Sequence, residues 1–290
     1  MKLLMIMLMG VACLAAACAG SDATSLGPAP TDTPSQSHSS TPSPPASPTP
    51  TGTTNVTPSP NRTYTYQVWF VRAGKLFPTK RTEPFTVALG QLSLNGLLAG
   101  PSTVERAAGV STDVPAGTTF DITALSNGQA TVQADPGFIE GASATALRLR
   151  QAQAVYTLTQ FATITRVQFT SAGGIVSLGP KGRADFDVLL PAIVVESPQL
   201  GSRVSDPVTV SGTADVFEAT VSIRILDASG HEIARTFTQA ACGTGCRGDF
   251  SASLGYQISS EQQGTLEVFE NSAKDGSPIN VVSIPVTLTP

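Results

Sequence analysis

The composition of this chain changes abruptly at Tyr64, and that change limits what the chain can fold into. From Ala19 to about Thr63 nearly every residue is Ser, Thr, Pro, Ala or Gly. Such a stretch buries too little apolar surface to offset the entropy of ordering, so residues 18–63 are predicted to form a disordered tether. The roughly 225 residues that follow are enough for two small domains.

The length of the predicted tether has a consequence for function. Its prolines favour extended polyproline II, at about 3.1 Å per residue, so it would reach on the order of 100 Å when extended. We interpret it as a spacer that holds the folded part away from an anchor. Its Ser, Thr and Pro content is also typical of O-glycosylated segments, and the sequence leaves open whether it is glycosylated.

Residues 1–17 have the pattern of a signal peptide. Lys2 is the only charge, an apolar run extends from Leu3 to Leu14, and small residues precede Cys18. A short positive segment, a short apolar segment and small residues before a cleavage point are typical of secretory signals. The apolar run is shorter than the roughly 20 residues that a spanning helix needs.

The residues before Cys18 resemble a lipobox, the signal for attaching diacylglycerol to a cysteine sulfur. The run Leu14-Ala15-Ala16-Ala17-Cys18 places its aliphatic residue four positions before the cysteine, where three is usual. We predict lipidation of Cys18 and localisation on the extracytoplasmic face of the cell membrane. A lipidated N-terminus that carries more than one acyl chain stays bound to a membrane stably. The alternatives are a plain secreted protein with a chance cysteine, and cleavage at Cys13, which lies inside the apolar run.

Charge and composition exclude some classes of partner. The net charge is −4 and no basic patch is present. This argues against nucleic acid as a partner, and it gives no electrostatic reason to bind anionic lipid. The membrane contact is therefore expected through the N-terminal lipid alone.

No arrangement of residues in the sequence indicates catalysis. The only histidines are His38, in the tether, and His231, beside a predicted turn. No His, Cys and Asp set has the spacing of a triad or a metal site, and no Gly-rich loop opens a helix as a phosphate site would. The chain is predicted not to be an enzyme and to need no cofactor or metal. Acid–base chemistry by a carboxylate pair stays open for the acids at 113, 121, 135 and 140.

The first predicted domain, residues 64–180, mixes strands and helices. Asn127-Gly128 between two β-rich runs is a strong hairpin signal. The order ββα, ββ, αβ indicates a compact mixed sheet with helices packed on it. The predicted elements are strands at 64–72, 76–83, 120–125, 129–133 and 164–170, with helices at 87–99 and 143–161.

The predicted helix over residues 143–161 carries a single apolar face. Ala144, Leu147, Val155, Leu158 and Ala162 recur at helical spacing. A glutamine on that face is more often a buried amide that satisfies backbone groups than a ligand-binding residue, and Gln151 is interpreted so. Arg148 also lies near this face, which the pattern does not explain.

Five runs within this region carry a family resemblance, and they are Gly96-Leu97-Leu98-Ala99-Gly100-Pro101-Ser102, Glu105-Arg106, Val114-Pro115-Ala116-Gly117-Thr118, Leu147-Arg148-Leu149-Arg150-Gln151 and Gln153-Ala154-Val155-Tyr156-Thr157-Leu158-Thr159-Gln160-Phe161. With these runs the region resembles the GerMN domain of sporulation and germination proteins, over nearly its whole length. The resemblance implies a non-catalytic domain of envelope proteins, similar in shape to the modules that build rings in secretion complexes.

The second predicted domain, residues 190–290, consists of short strands with turns every eight to twelve residues. Seven strands in roughly 100 residues match an immunoglobulin-like β-sandwich in number and size. The fold class is therefore α+β: a mixed α/β domain followed by an all-β sandwich. The predicted strands are 192–196, 208–213, 220–226, 232–238, 248–254, 264–270 and 280–288.

Three runs of the second region also carry a family resemblance, and they are Val195-Glu196-Ser197-Pro198, Val210-Ser211-Gly212-Thr213-Ala214-Asp215-Val216-Phe217-Glu218-Ala219 and Gly264 to Asn280. With these runs the region resembles the immunoglobulin-like domain of bacterial spore-germination proteins. Finding this domain behind a GerMN-like one strengthens both resemblances, and neither implies a chemical reaction.

Cys242 and Cys246, separated by Gly-Thr-Gly, are predicted to form a disulfide. In an oxidising, exported setting two nearby cysteines are most simply paired, and the glycines give the backbone freedom to close a small ring. A structural zinc would need four ligands, and the spacing is one residue longer than in a redox Cys-x-x-Cys motif.

A short internal echo links two parts of the second domain. Gly212-Thr213-x-x-Val216-Phe217-Glu218 recurs as Gly264-Thr265-x-x-Val268-Phe269-Glu270. A phenylalanine beside a glutamate at a strand end usually places one side chain in the core and its neighbour in water. A less favoured alternative gathers Glu218, Glu270 and Asp275 as a calcium site, although no calcium-loop motif supports it.

These observations lead to two hypotheses of function. The first is a non-catalytic, lipid-anchored envelope protein that docks or scaffolds another envelope protein through its two domains. The alternative is a lipoprotein whose sandwich binds peptidoglycan or another cell-wall glycan. Exposed aromatic side chains would favour the alternative, but aromatics are only 6% of the chain and Trp69, the only tryptophan, lies in a predicted core strand.

Overall fold

The computed structural model describes residues 62–171 and 176–290. The predicted signal peptide, Cys18, the tether up to residue 61 with His38, and the predicted turn at residues 172–174 lie outside this range. No helix within the described residues combines the length and apolar character needed to cross a membrane.

The first domain begins with a β-hairpin. Strands β1 (Thr63–Arg72) and β2 (Lys75–Pro84) pair antiparallel over their whole length. The turn between them places Ala73 and Gly74 at φ of 50° and 73°, a backbone conformation that suits tight hairpin turns. A two-residue strand, β3 (Val110–Ser111), pairs with the end of β1 and completes a three-stranded sheet of order β2-β1-β3.

A second, four-stranded sheet makes up the rest of the first domain. The sequence pattern indicated one mixed sheet, and the structure divides its strands between two. The central pair, β5 and β6, is parallel and the other pairs are antiparallel. The strands lie in chain order in the sheet and are β4 (Phe120–Ser126), β5 (Gln129–Ala134), β6 (Arg166–Ser171) and β7 (Ser177–Lys181).

The longest helix of the domain is buried on all sides in its second half. Residues 151–158 are all buried, because this helix packs on β1, on the first helix and on the segment after β7. The expected single apolar face is therefore wrong at its ends, where Ala144 and Ala162 are exposed. The helices are α1 (Leu89–Leu98), α2 (Thr103–Ala107), α3 (Pro136–Ile139) and α4 (Ala144–Leu158).

The polar residues of α4 are satisfied within the fold. Gln153 is fully buried, and its amide accepts a hydrogen bond from Thr112 Oγ1 at 2.9 Å and donates to Leu149 O at 3.3 Å. Gln151, two residues earlier, is also buried, as predicted. The guanidinium of Arg148 donates to Asp185 O at 3.1 Å, which accounts for its place on the helix.

Side chains from α4 and from the residues just after it cover the part of the β1 edge that β3 does not reach. Gln67 N donates to Gln160 Oε1 at 2.8 Å, and Trp69 N donates to Thr157 Oγ1 at 3.0 Å. Gln160 Nε2 in turn donates to Gln67 O at 2.8 Å. An open strand edge invites pairing with another chain, and here helix side chains take the place of a neighbouring strand.

The second domain is a β-sandwich, and all seven predicted strands are present. A three-stranded sheet of order β13-β10-β8 packs against a five-stranded sheet of order β12-β11-β14-β15-β9. The two-residue β9 was not predicted. The strands are β8 (Ile193–Ser197), β9 (Arg203–Val204), β10 (Val208–Ala214), β11 (Thr220–Leu226), β12 (Glu232–Gln239), β13 (Gly248–Leu254), β14 (Gln262–Asn271) and β15 (Pro278–Leu288).

Alternation along the strands produces the core of the sandwich. Val210, Ile223 and Val268 have no exposed surface and point inward from three different strands. On either side of Val210, Thr209 is exposed and Ser211 is half-buried, which is the period-2 pattern that identified these strands in the sequence. The structure thus confirms the predicted fold class, a mixed α/β domain followed by an all-β sandwich.

Candidate functional site

The first domain contains an open apolar groove between α1 and β4. The two elements approach closely at Gly90, where a Cβ atom would lie 3.0 Å from Ile122 Cδ1 and 3.6 Å from Leu158 Cδ2. The buried Ile164 follows α4 by a short turn and lies at the floor of the groove. Three separate parts of the sequence therefore meet here.

This α1–β4 groove has a volume of about 520 Å³, and all of its lining residues are uncharged. Val87 is 93% exposed and Leu125 is 53% exposed, so two large apolar side chains at the groove face water. The lining consists of Val87, Ala88, Leu89, Gly90, Gln91, Ile122, Leu125, Phe161, Thr163 and Ile164. Contiguous exposed apolar surface of this kind marks binding sites more often than scattered apolar residues do.

One polar side chain organises the groove. Gln91 Nε2 donates to Phe120 O at 2.6 Å, and Ile122 N donates to Gln91 Oε1 at 3.1 Å. The amide of Gln91 thereby pairs with the outer edge of β4 as a strand would, just as Gln160 pairs with β1. These bonds hold α1 against β4 and keep the groove wall in place.

The sequence did not identify this groove. Val87 and Leu125 were assigned to a helix start and a strand, where apolar residues are normally buried. Leu125 does break the alternation of β4, because Ala124 and Ser126 beside it are exposed too. That run of exposed residues depends on β4 being an edge strand, which only the topology shows.

The three acids weighed as a calcium site do not gather. Within residues 62–171 and 176–290, no group of three or more His, Cys, Asp or Glu side chains is placed to hold a metal ion. Glu270 accepts hydrogen bonds from Phe217 N at 2.9 Å and from Asn280 Nδ2 at 2.7 Å. Asp275 accepts from Ser277 Oγ at 2.7 Å, and Glu218 is exposed.

The two copies of the internal echo also differ from the expectation of one buried and one exposed side chain. Phe269 and Glu270 are both buried, at 0% and 8% exposure. Phe217 is 50% exposed, and Glu218 has a left-handed φ of 52°. Glu270 can be buried beside Phe269 because both of its oxygens have hydrogen-bond partners.

Two of the four acids considered for acid–base chemistry, Asp113 and Asp135, interact with neighbouring residues of the fold. Burial raises the pKa of Asp113, and the charge of Arg150 opposes that rise. Asp135 accepts a hydrogen bond from Thr119 Oγ1 at 2.8 Å and another from Thr119 N. Asp121 lies on β4, and Glu140 directly follows α3. His231 is exposed beside the turn at Asp227, as predicted, with 3.7 Å between Nδ1 and Asp227 Oδ2.

Two further features lie on the second domain. Cys242 and Cys246 form a disulfide, with 5.7 Å between their Cα atoms. On the outer face of the five-stranded sheet, Phe237 is 70% exposed beside a shallow hollow of about 490 Å³. This Phe237 hollow is lined by Thr220, Ser222, Arg235, Thr236, Phe237 and Asn271, which places hydroxyl, amide and guanidinium groups around an exposed ring.

Solved structures similar to this chain include two from one protein. The tandem GerMN domains of the sporulation protein GerM from Bacillus subtilis are 12% identical, with a TM-score of 0.37, and the match covers 79% of this chain and 61% of that one. The first GerMN domain alone is 19% identical, with a TM-score of 0.34, covering 41% of this chain and 95% of that one. The chain thus spans about three fifths of the tandem structure. Likenesses this distant support no inference about function. No curated protein sequence matches the chain.

Two protein families match the chain in the order that the sequence resemblance implied. Residues 61–176 match the family described as sporulation and spore germination. Residues 192–277 match the immunoglobulin-like domain of bacterial spore germination. Neither description names a catalytic activity. The chain therefore carries a domain of the sporulation and spore germination family, followed by a domain of the immunoglobulin-like bacterial spore germination family.

Proposed function

We propose that this chain is a non-catalytic, lipid-anchored protein of the bacterial envelope that docks another envelope protein through the α1–β4 groove. The lipid on Cys18 and the tether hold the two domains near the membrane, and the sandwich positions the groove for its partner. The proposed role lies in sporulation or germination, with which both matched families are associated.

The observation that carries this proposal is the exposure of Val87 and Leu125 at the mouth of an uncharged groove. Leaving such side chains in water forfeits about 25 cal/mol for each Å² of apolar surface that a partner could cover. Val87 lies two residues before α1 and Leu125 lies on β4, whereas Leu94 on α1 and Phe120 on β4 are buried. A partner protein that inserts apolar side chains here would gain that free energy.

The test is to place a charge at the groove. Val87→Asp with Leu125→Asp is expected to weaken partner capture by on the order of tenfold or more, because a carboxylate in an apolar contact is desolvated without a counter-charge. Capture would be measured in intact cells with a photo-crosslinking residue at Thr163, which lines the groove and is exposed.

The matched control is Val188→Asp, since Val188 is 66% exposed and lies outside the groove. This variant is expected to keep the crosslinked product. If the groove variant captured the same partner as strongly as the control, the groove would not be the docking site. Folding of both variants is expected to be unchanged because all three side chains are exposed.

A second candidate function is binding to a cell-wall glycan through the Phe237 hollow. The observation that favours it is the exposed ring of Phe237 surrounded by hydrogen-bonding groups. Asn271 Nδ2 donates to Ser222 Oγ at 2.8 Å, and that bond does not use the amide oxygen of Asn271. A ring beside hydroxyl and amide groups suits a sugar, which has an apolar face and polar edges.

We expect Phe237→Ala to abolish salt-resistant binding to cell-wall sacculi if the second candidate is correct. The detergent-solubilised full chain would be sedimented with sacculi at low and high salt. Phe217→Ala is the matched control, because Phe217 is also half exposed on the same domain and lies outside the hollow. A wild-type chain left in the supernatant at both salts would exclude the wall as a ligand.

A further inference from the structure

The Cys242–Cys246 ring is fixed tightly to the second domain. Thr244 N donates to Val216 O at 3.0 Å, and Gly245 N donates to Asp215 Oδ1 at 2.8 Å. A Cβ atom on Gly243 would overlap the backbone nitrogen of Ala219 and lie 2.7 Å from its Cβ, so the ring backbone rests directly on the turn below it. The ring is thus a rigid support for the residue that follows.

That residue is Arg247, and its guanidinium donates hydrogen bonds to the segment between the two domains. It donates to Pro191 O at 2.6 Å, to Ala192 O at 3.4 Å and to Thr213 O at 3.3 Å. Pro191 and Ala192 end the linker, residues 182–192, which joins β7 to β8. Asp215 N also donates to Ala192 O at 2.8 Å. A forked, always charged guanidinium is suited to holding several carbonyl groups at once.

The other end of the linker is attached to the first domain. It contains a 3-10 helix (Arg183–Leu189) whose Phe186 is buried. Arg183 Nε donates to Thr159 Oγ1 at 2.8 Å, and its guanidinium carbon lies 4.8 Å from the centre of the Tyr156 ring. The Tyr156 hydroxyl donates to Asp187 Oδ1 at 3.2 Å. Burial, and then Asp187, raise the pKa of Tyr156 to about 12, so the phenol remains a donor.

We propose that the Cys242–Cys246 ring and Arg247 form a clasp that holds the linker to the second domain, and that reduction of the disulfide opens it. A dithiol reductant would break the sulfur–sulfur bond and become a disulfide itself, while Cys242 and Cys246 each take up one electron and one proton to become thiols. Without the covalent ring, the loop loses the rigidity that holds Arg247 on Pro191 and Ala192. At its second-domain end the linker then keeps only the bond from Asp215 N to Ala192 O.

Hydrogen exchange of the full chain tests the clasp. The amide of Leu190 donates to Asp187 O at 3.0 Å, directly before Pro191. The double variant Cys242→Ser with Cys246→Ser is expected to exchange the amides of Leu190 and Asp215 about tenfold faster than the oxidised wild type, because release of Pro191 and Ala192 opens both bonds locally. Wild type treated with dithiothreitol should match the double variant. The variant removes this disulfide without any reductant, so the two measurements test the same bond by independent means.

Control amides show whether the domains themselves remain folded. Peptides that cover β1 and β11 should exchange at the same slow rate in both forms, since the pairing of both strands lies within their own sheets. Faster exchange confined to residues 242–247, with Leu190 and Asp215 unchanged, would overturn the proposal, as it would show a loop that loosens without releasing the linker.

Arg247→Lys provides a second, independent variant that leaves the disulfide intact. Lysine keeps the charge but cannot fork between Pro191 O and Thr213 O. Linker exchange should rise as in the double variant, whereas Arg235→Lys, a change on the exposed face of β12, should leave it unchanged. Wild-type exchange at Leu190 and Asp215 in Arg247→Lys would contradict the role given to the guanidinium.

Discussion

Replacing Gly212 with alanine is expected to lower the free energy of unfolding of the second domain by about 3 kcal/mol. A Cβ atom at this position would overlap the carbonyl oxygen of Val194 and lie 2.9 Å from its carbonyl carbon. The register of β10 against β8 shifts between Ser211 and Gly212, and this bulge presses the two backbones together. Backbone atoms in the middle of a sheet cannot move aside as the end of a flexible side chain can.

The measurement is urea unfolding of the full chain followed by circular dichroism. Gly179→Ala is the matched control, because no heavy atom lies within 4 Å of a Cβ built there, and we expect it to change stability by less than about 0.5 kcal/mol. Equal unfolding midpoints for Gly212→Ala and wild type would mean that β8 and β10 do not approach as closely as described.

The same glycine explains the part of the internal echo that the two copies share. Gly264 also lies against its neighbours, where a Cβ atom would be 2.8 Å from Leu288 Cγ and 2.9 Å from Leu226 O. The Phe-Glu pairs that follow each glycine have different surroundings. The repeat in the sequence therefore marks two places where strands come close, and it does not mark a shared ligand site.

The sandwich could be predicted from the sequence because its strands alternate between core and solvent. Val210 and Ile223 sit in runs whose neighbours are polar, and that local pattern survives in the fold. The first domain was harder, because the second half of α4 is buried on all sides, and a helical segment without a polar face has no distinctive periodicity. Its burial is set by β1, which lies more than 70 residues earlier in the chain.

Sequence patterns could not predict the candidate site, for a related reason. The groove joins residues near 90, 123 and 163, and whether Val87 or Leu125 is exposed depends on which strand forms the sheet edge. The cysteine pair could be predicted because both partners are close in sequence. The hydrogen bond from Arg247 to Pro191 O could not be predicted, since it spans 56 residues and the residues around Arg247 form no distinctive motif.

Glu105→Gln is expected to lower the free energy of unfolding of the first domain by about 2–3 kcal/mol at pH 7. Both carboxylate oxygens of Glu105 accept hydrogen bonds of 2.7 Å from Arg81, and one also accepts from Ser102 N at 2.6 Å in a capping box at the start of α2. The Glu105 side chain is only 9% exposed. Replacing it removes the charge that compensates Arg81 and weakens the start of the helix at the same time.

The effect of this substitution should depend on pH in a defined direction. Burial alone would raise the pKa of Glu105, but the bonds from Arg81 and Ser102 outweigh it and hold the pKa below its usual value of 4.5. A depressed pKa contributes stability that is present above pH 4.5 and is lost as the pH falls through the folded-state value. The difference between wild type and Glu105→Gln should therefore be largest near neutral pH and shrink in acid.

Urea unfolding followed by the fluorescence of Trp69 measures this effect, since the only tryptophan of the chain lies in β1 of the same domain. Glu261→Gln is the matched control. It removes the same bidentate contact from Arg203, but there the arginine and glutamate side chains are 63% and 46% exposed. Water solvates both charges at that site, so we expect a loss of less than about 0.5 kcal/mol. Equal losses for Glu105→Gln and Glu261→Gln would show that burial of the Arg81–Glu105 pair does not determine its contribution.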